Sequence, residues 1–134
     1  MKLNFELLDT FVEENSRRQG ARARLTFGPL MVWFRIAGRM MNGVPGLTID
    51  IADVEVEEGE RRKGAFRSLL SHIEPLAKKH GIAVYVQSIT NDHVITELQR
   101  RGYQFSIDGI GSDAWLSPTL IKSHELDKSD SPSP

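Results

Sequence analysis

The sequence predicts an α+β domain, with a mixed, mainly antiparallel sheet, a bulged central strand and helices on both faces. Three observations predict it. Alternating stretches come early in the chain and are followed by a strand–helix–strand unit in the middle, an order that mixes antiparallel pairing with one crossover. One central stretch loses its two-residue hydrophobic period part-way along. The chain has 134 residues, 40% hydrophobic and 26% charged, enough to bury one core without covalent staples.

Phe5 to about Arg18 reads as a helix, with Phe5, Leu8, Phe11 and Val12 at helical spacing, Arg17 and Arg18 at its end and Gly20 as its stop. Ala21–Phe27 and Leu30–Met40 read as strands joined at Gly28-Pro29. In the second, Met31, Trp33 and Arg35 alternate with Val32, Phe34 and Ile36, so one face is less apolar than the other. Asn42 to Gly46 is a turn-rich break.

Leu47–Val56 is the most informative strand. Leu47, Ile49 and Ile51 share one face, a parity that would next turn Asp53 and Glu55 inward. The apolar residues fall instead at Val54 and Val56. A β-bulge at Ala52-Asp53 re-phases the strand, and bulges lie often beside active sites. Gly64–His80 then carries Phe66, Leu69, Leu70, Ile73, Leu76 and Ala77 on one helical stripe, with Pro75 inside it and Gly81 after it. Ile82–Ile89 is a short apolar strand. Asn91 or Asp92 caps a helix running to Arg101, and Gly102 stops it. Tyr103–Ile107 and Ala114–Leu116 are expected as the last strands. One domain over residues 1–117 and a polar, disordered tail over 118–134 complete the division.

Composition narrows the chemistry. The net charge is −1 and there is no cysteine, which removes disulfides and thiolate catalysis and suits a reducing cytoplasm. No run approaches a membrane span and no signal peptide is visible, so no membrane partner is expected. His72, His80, His93 and His124 lack metal-ligand spacing, so no metal is expected. Arg17, Arg18, Arg22 and Arg24 read as a solvated face without aromatic interleaving, which disfavours nucleic acid.

Glu57-Glu58-Gly59-Glu60-Arg61-Arg62-Lys63-Gly64 joins the bulged strand to the start of a helix. Successive N–H groups at a helix N-terminus hold anions, Gly64 lets the backbone come close, and Arg61, Arg62 and Lys63 add positive charge. This suits a pyrophosphate. It is neither a nucleotide P-loop nor a dinucleotide fingerprint, because the required residues and glycine spacing are missing.

The stretch from Val56 to Phe66 resembles the coenzyme A loop of the GNAT-superfamily N-acetyltransferases, Arg/Gln-x-x-Gly-x-Gly/Ala after a bulged strand. Arg61 and Gly64 match, while Phe66 departs from the final small residue. Asn91 falls where the family often has a coenzyme-contacting Asn, and Gly102-Tyr103 where it has Gly-Phe or Gly-Tyr. The resemblance covers roughly Leu47 to Leu116. The compact form is also similar to small bacteriophage-encoded members, which would make the location a host cytoplasm and the acceptor a host protein.

The resemblance implies a GNAT-like fold with acetyl-CoA as acyl donor and an amine of a small molecule or protein as acceptor. Pantetheine would pair with backbone near Val54 and Val56, like an added strand. The amides of Arg62, Lys63, Gly64, Ala65 and Phe66 would hold the pyrophosphate. Candidates for the base are Asp53 and Glu55, then Asp50, where burial would raise a carboxylate pKa. Many members carry a tyrosine acid at a position that is Leu98 here, leaving His93, Tyr103 or water to supply the proton. Two readings stay open: an active acetyltransferase, or a weak or inactive relative that binds acetyl-CoA or a partner protein.

Overall fold

The computed structural model describes residues 3–57, 59, 64–89, 92–106 and 112–118. The elements run α1 (Glu6–Asn15), β1 (Arg22–Phe27), β2 (Leu30–Met41), β3 (Val44–Val56), α2 (Ala65–Lys79), β4 (Ala83–Ile89), α3 (Asp92–Arg100), β5 (Gln104–Phe105) and β6 (Ser112–Leu116). The strands form one sheet in the order β1-β2-β3-β4-β6-β5. Only β3 and β4 pair in parallel, the other neighbours being antiparallel.

Most boundaries follow the sequence signals. The first helix is shorter than expected, ending at Asn15 before the Arg17-Arg18 pair. The break at Asn42 to Gly46 is shorter too. Asn42 and Gly43 alone make the turn, with φ of 54° and 81°, and β3 begins at Val44. Positive φ at both residues of a two-residue loop matches the twist of a hairpin, which is what Asn-Gly is suited to. Pro45 and Gly46 are therefore strand residues. The second helix runs through Pro75 without a break, and that residue is exposed.

All three helices lie on one face of the sheet, not on both. Helix α1 meets α2 through Asp9 and His72, 2.5 Å apart, and α2 meets α3 through Arg67 and Glu97 at 3.5 Å. Topology gives the reason for α2 and α3. Each lies in a crossover between parallel strands, and both crossovers step the same way across the sheet, so the right-handed rule puts both helices on the same side. The apolar stripe of α1 joins them there: Phe11 lies 6.5 Å from Phe34, and Phe5 lies 4.9 Å from Phe27.

That side carries the core. Phe27, Leu30, Val32, Phe34, Ile36, Ile49, Ile51, Val84 and Val86 pack against Leu8, Val12, Leu69, Leu70, Ile73 and Leu98 in one cluster. Fully burying each large apolar side chain contributes about 1.5–3 kcal/mol. No helix among the described residues is long and apolar enough to cross a membrane.

Candidate functional site

The bulge sits where the phase slip predicts. Trp33 of β2 pairs with Asp53 of β3, and the next residue, Phe34, pairs with Ile51, so Ala52 is an extra residue on β3. Beyond it Val54 and Val56 pair with the buried Val32 and Leu30 and turn to the helix side. Asp53 and Glu55 turn to the open face.

A second bulge went unread in the sequence. Val86 of β4 pairs with Ala114, and Ile89 pairs with Ser112, so two residues of β4 stand against the single Asp113. The parallel ladder between β3 and β4 runs from Thr48↔Ala83 to Ile51↔Val86. It stops where both strands bulge, and the two strands part there.

Helix α2 begins at this parted end, because it follows β3 and leads back to the start of β4. Gly64 is its N-cap, with φ of 91° in the left-handed region. Ser68 N–H donates to the Gly64 carbonyl at 2.9 Å, the first bond of the helix. Among the described residues no side chain caps this end, and no acid lies in the first turn. The dipole and the opening N–H groups of such a helix end favour an anion. A Cβ added at Gly64 would meet no described atom within 4 Å. This cradle fits a pyrophosphate. Ala65 is buried behind it and Phe66 packs partly against the core. Arg61, Arg62, Lys63 and Asn91 lie outside the described residues.

The three candidate carboxylates share the open face but not an environment. Asp53 and Glu55 are exposed, without the burial expected of them. Asp50 is fully buried and fully engaged. Arg39 donates to both its oxygens at 3.2 and 2.7 Å, Arg35 at 3.2 Å, and the Thr48 hydroxyl at 2.5 Å. A carboxylate with its lone pairs so occupied is poorly placed to accept a proton. Its evident work is to hold two arginines in place.

That cluster continues across the sheet. Burial works against the Arg39 cation, but the Asp50 carboxylate outweighs it and holds the Arg39 pKa above the usual arginine value. Its guanidinium carbon lies 3.9 Å above the Tyr85 ring. Tyr85 donates to Asp113 at 2.7 Å and stacks on Trp115 with ring centres 6.1 Å apart. Burial, then that hydrogen bond, push the Tyr85 pKa up to about 12. Sequence reasoning missed this row. Its signals were Arg35 and Arg39 at matching strand parity and a lone Asp50 among apolar neighbours.

Leu98 is fully buried in the core, and Tyr103 donates to Glu74 at 2.9 Å on the helix side. Burial, then the Glu74 charge, raise the Tyr103 pKa well above that of a free phenol. Among the described residues no group of His, Asp and Glu is arranged to hold a metal ion.

No protein-family model matches the chain, and no curated protein sequence matches it. Solved structures do. The AtaT Y144F mutant toxin bound to the C-terminus of the antitoxin AtaR and acetyl-CoA superposes with a TM-score of 0.55 at 12% identity, over 75% of this chain and 64% of that one. The fold is GNAT-like. AtaT complexed with acetyl-methionyl-tRNAfMet gives a TM-score of 0.54 at 9% identity, over 92% of this chain and 89% of that one. The KacTA–DNA complex gives 0.50 at 15% identity, over 93% and 86%. This chain thus spans 64% of the length of the first of these neighbours.

Proposed function

We propose that the protein is an acetyl-CoA-dependent N-acetyltransferase acting on an amine of a small molecule or protein. One observation carries the reading. The parallel pair β3–β4 is parted by a bulge in each strand, at the end of the sheet from which the chain leads to the Gly64-capped start of α2, whose first turn holds no acidic residue. A parted strand pair offers backbone to a pantetheine arm, and the helix end offers N–H groups to its pyrophosphate. Val54 and Val56 would supply the first. The amides of Arg62 through Phe66 would supply the second, with Arg61, Lys63 and Asn91 contributing as the family resemblance implies. AtaT, solved with acetyl-CoA, supports the donor.

In the transfer, the amine nitrogen forms a bond to the thioester carbonyl carbon. The carbon–sulfur bond breaks and its electron pair leaves with sulfur. The amine proton goes to a base, which we assign to Asp53 with Glu55 second, because both are exposed beside the opening. Asp50 ranks last because of its engagement with the two arginines. Sulfur takes its proton from water, as Leu98 supplies none.

Calorimetry of acetyl-CoA with Gly64→Asp tests the donor site. A side chain at positive φ and a negative charge in the cradle should weaken binding at least tenfold, and equal affinity in two folded proteins would remove the assignment. Thiol release in a single turnover tests the chemistry. A positioned base contributes about 10²–10⁴-fold in rate, so Asp53→Asn or Glu55→Gln should slow transfer far more than it weakens acetyl-CoA binding. The second reading, a protein that binds acetyl-CoA without turnover, is favoured by Leu98. It takes over if coenzyme binds and no amine is ever acetylated.

A further inference from the structure

Beside the β3 bulge, on the open face, lies a hollow of about 310 Å³ lined by Arg22, Trp33, Phe34, Arg35, Ala52 and Asp53. We infer that this hollow is the acceptor subsite and that it selects a small primary amine carrying a carboxylate or phosphate at its far end. The inference rests on the acetyl-transfer reading above and names the substrate class for it.

The charges argue the case. Across the middle of this face charged groups hold one another: Asp50 holds Arg39 and Arg35, and Tyr85 donates to Asp113. Asp53 and Arg22 make no hydrogen bond or ion pair among the described residues, although they line the same hollow. They do not reach each other. Asp53 is on β3 and Arg22 on β1, with β2 between them and a two-residue offset in register, so the two backbones are about 12 Å apart at the usual strand spacing and rise. Opposite charges left open at the two ends of one cavity are complementary to a ligand with an amine at one end and an anion at the other. The amine end is the Asp53 end, next to the parted strands where the acyl group would lie.

The middle of the hollow fits such a ligand. Trp33 is 39% exposed and forms an apolar wall. Arg35 commits Nε to Asp50 and one terminal nitrogen to Gln87 at 2.9 Å. A guanidinium has five donors, so its other terminal nitrogen is open to the anion. The Asp50 clamp also fixes where that nitrogen points. The volume lies at the small end of ligand pockets, which run from about 300 to 1,000 Å³, and suits a small molecule better than a polypeptide segment.

The test compares hexylamine, aminocaproate and aminohexyl phosphate as acceptors, read by thiol release, and repeats the two anionic amines by calorimetry without acetyl-CoA. The anionic amines should show a KM about tenfold to a hundredfold below that of hexylamine, the value of a charge-assisted contact. Whichever of the two has the lower KM identifies carboxylate or phosphate as the preferred end. Arg22→Gln should collapse the preference toward one, and Arg100→Gln, on α3 and away from the hollow, should keep it. Equal KM for all three amines overturns the inference, as does an equal loss of preference in both arginine variants. If no amine is acetylated but calorimetry shows an anionic amine bound by the parent and not by Arg22→Gln, the subsite stands and the transfer reading falls. If hexylamine is acetylated as well as the others, the transfer reading stands and the selectivity falls. If nothing is acetylated and nothing binds, both fall.

Discussion

The two faces of the sheet divide the protein's work, and Trp33 and Phe34 show the division within one dipeptide. Phe34 faces the helices at 1% exposure, while Trp33 faces outward at 39%. The helix side is a continuous apolar cluster. The open side carries charges and rings that hold one another in fixed positions, with Asp50 buried beneath two arginines. Loss of fit on the first side should cost stability, whereas loss on the second should cost arrangement. The β3 bulge is where the strand exchanges one assignment for the other.

The largest effect should come from Phe34→Ala, which empties a buried aromatic site and should cost about 3–5 kcal/mol in urea unfolding. Trp33→Ala should cost under about 1 kcal/mol, and equal losses at the two positions would erase the distinction between the faces. Asp50→Asn comes next. Breaking a buried pair from one side costs roughly 3–5 kcal/mol, but Arg35 and Arg39 are partly exposed and can turn to water, so about 2–3 kcal/mol is expected. Restoration by Asp50→Glu would show that the charge, not the volume, is what matters.

A third test reads the tyrosines, Tyr85 on the open face and Tyr103 on the helix side. Both pKa values are raised, Tyr85 to about 12. A free phenol titrates near 10, so tyrosinate absorbance should stay flat through about pH 10 in the native protein and rise in the denatured one. Because the folded pKa lies above the unfolded one, the unfolded chain loses its proton first, and stability falls as pH rises from about 10 to 12. Tyr85→Phe should make that alkaline fall shallower.

The smallest effect is at acid pH and confined to the helix side. The Arg101 hydrogen bond holds the Glu97 pKa below its usual range, so its contribution is present above about 4.3 and lost as pH falls through the folded value. Burial raises the Glu74 pKa despite Arg101 beside it, and its protonation on acidification acts in the opposite direction. Glu97→Gln should therefore flatten the acid limb of stability, measured by urea midpoints across pH.

What the sequence revealed and what it hid follow the range of the forces involved. Local period and turn chemistry located the strands, the long helix and the β3 bulge, the last because Val54 and Val56 break the alternation of Leu47, Ile49 and Ile51 within the strand itself. The β4 bulge left no such trace. Residues Ile82 to Val86 are buried on either parity, so no alternation existed to slip. The open-face row was hidden for a different reason. Asp50, Arg39 and Tyr85 lie on three strands, and their contact depends on register, which single residues do not announce. Helices on both faces were expected with the GNAT-like fold, but the crossovers' shared direction puts α2 and α3 together. The loop at Arg61–Lys63 and Asn91 lie outside the described residues.

A bulge on each side of the parted strands has a kinetic consequence. Zipping β3 and β4 together would require both to shift by one residue at once, which would turn Val54 toward solvent and Asp53 toward the core. The opening is therefore set by the register that the sequence itself imposes on β3 and β4. Ligand entry then meets a gap already formed, so the observed association rate should rise linearly with ligand concentration, without the plateau that a preceding opening step would impose.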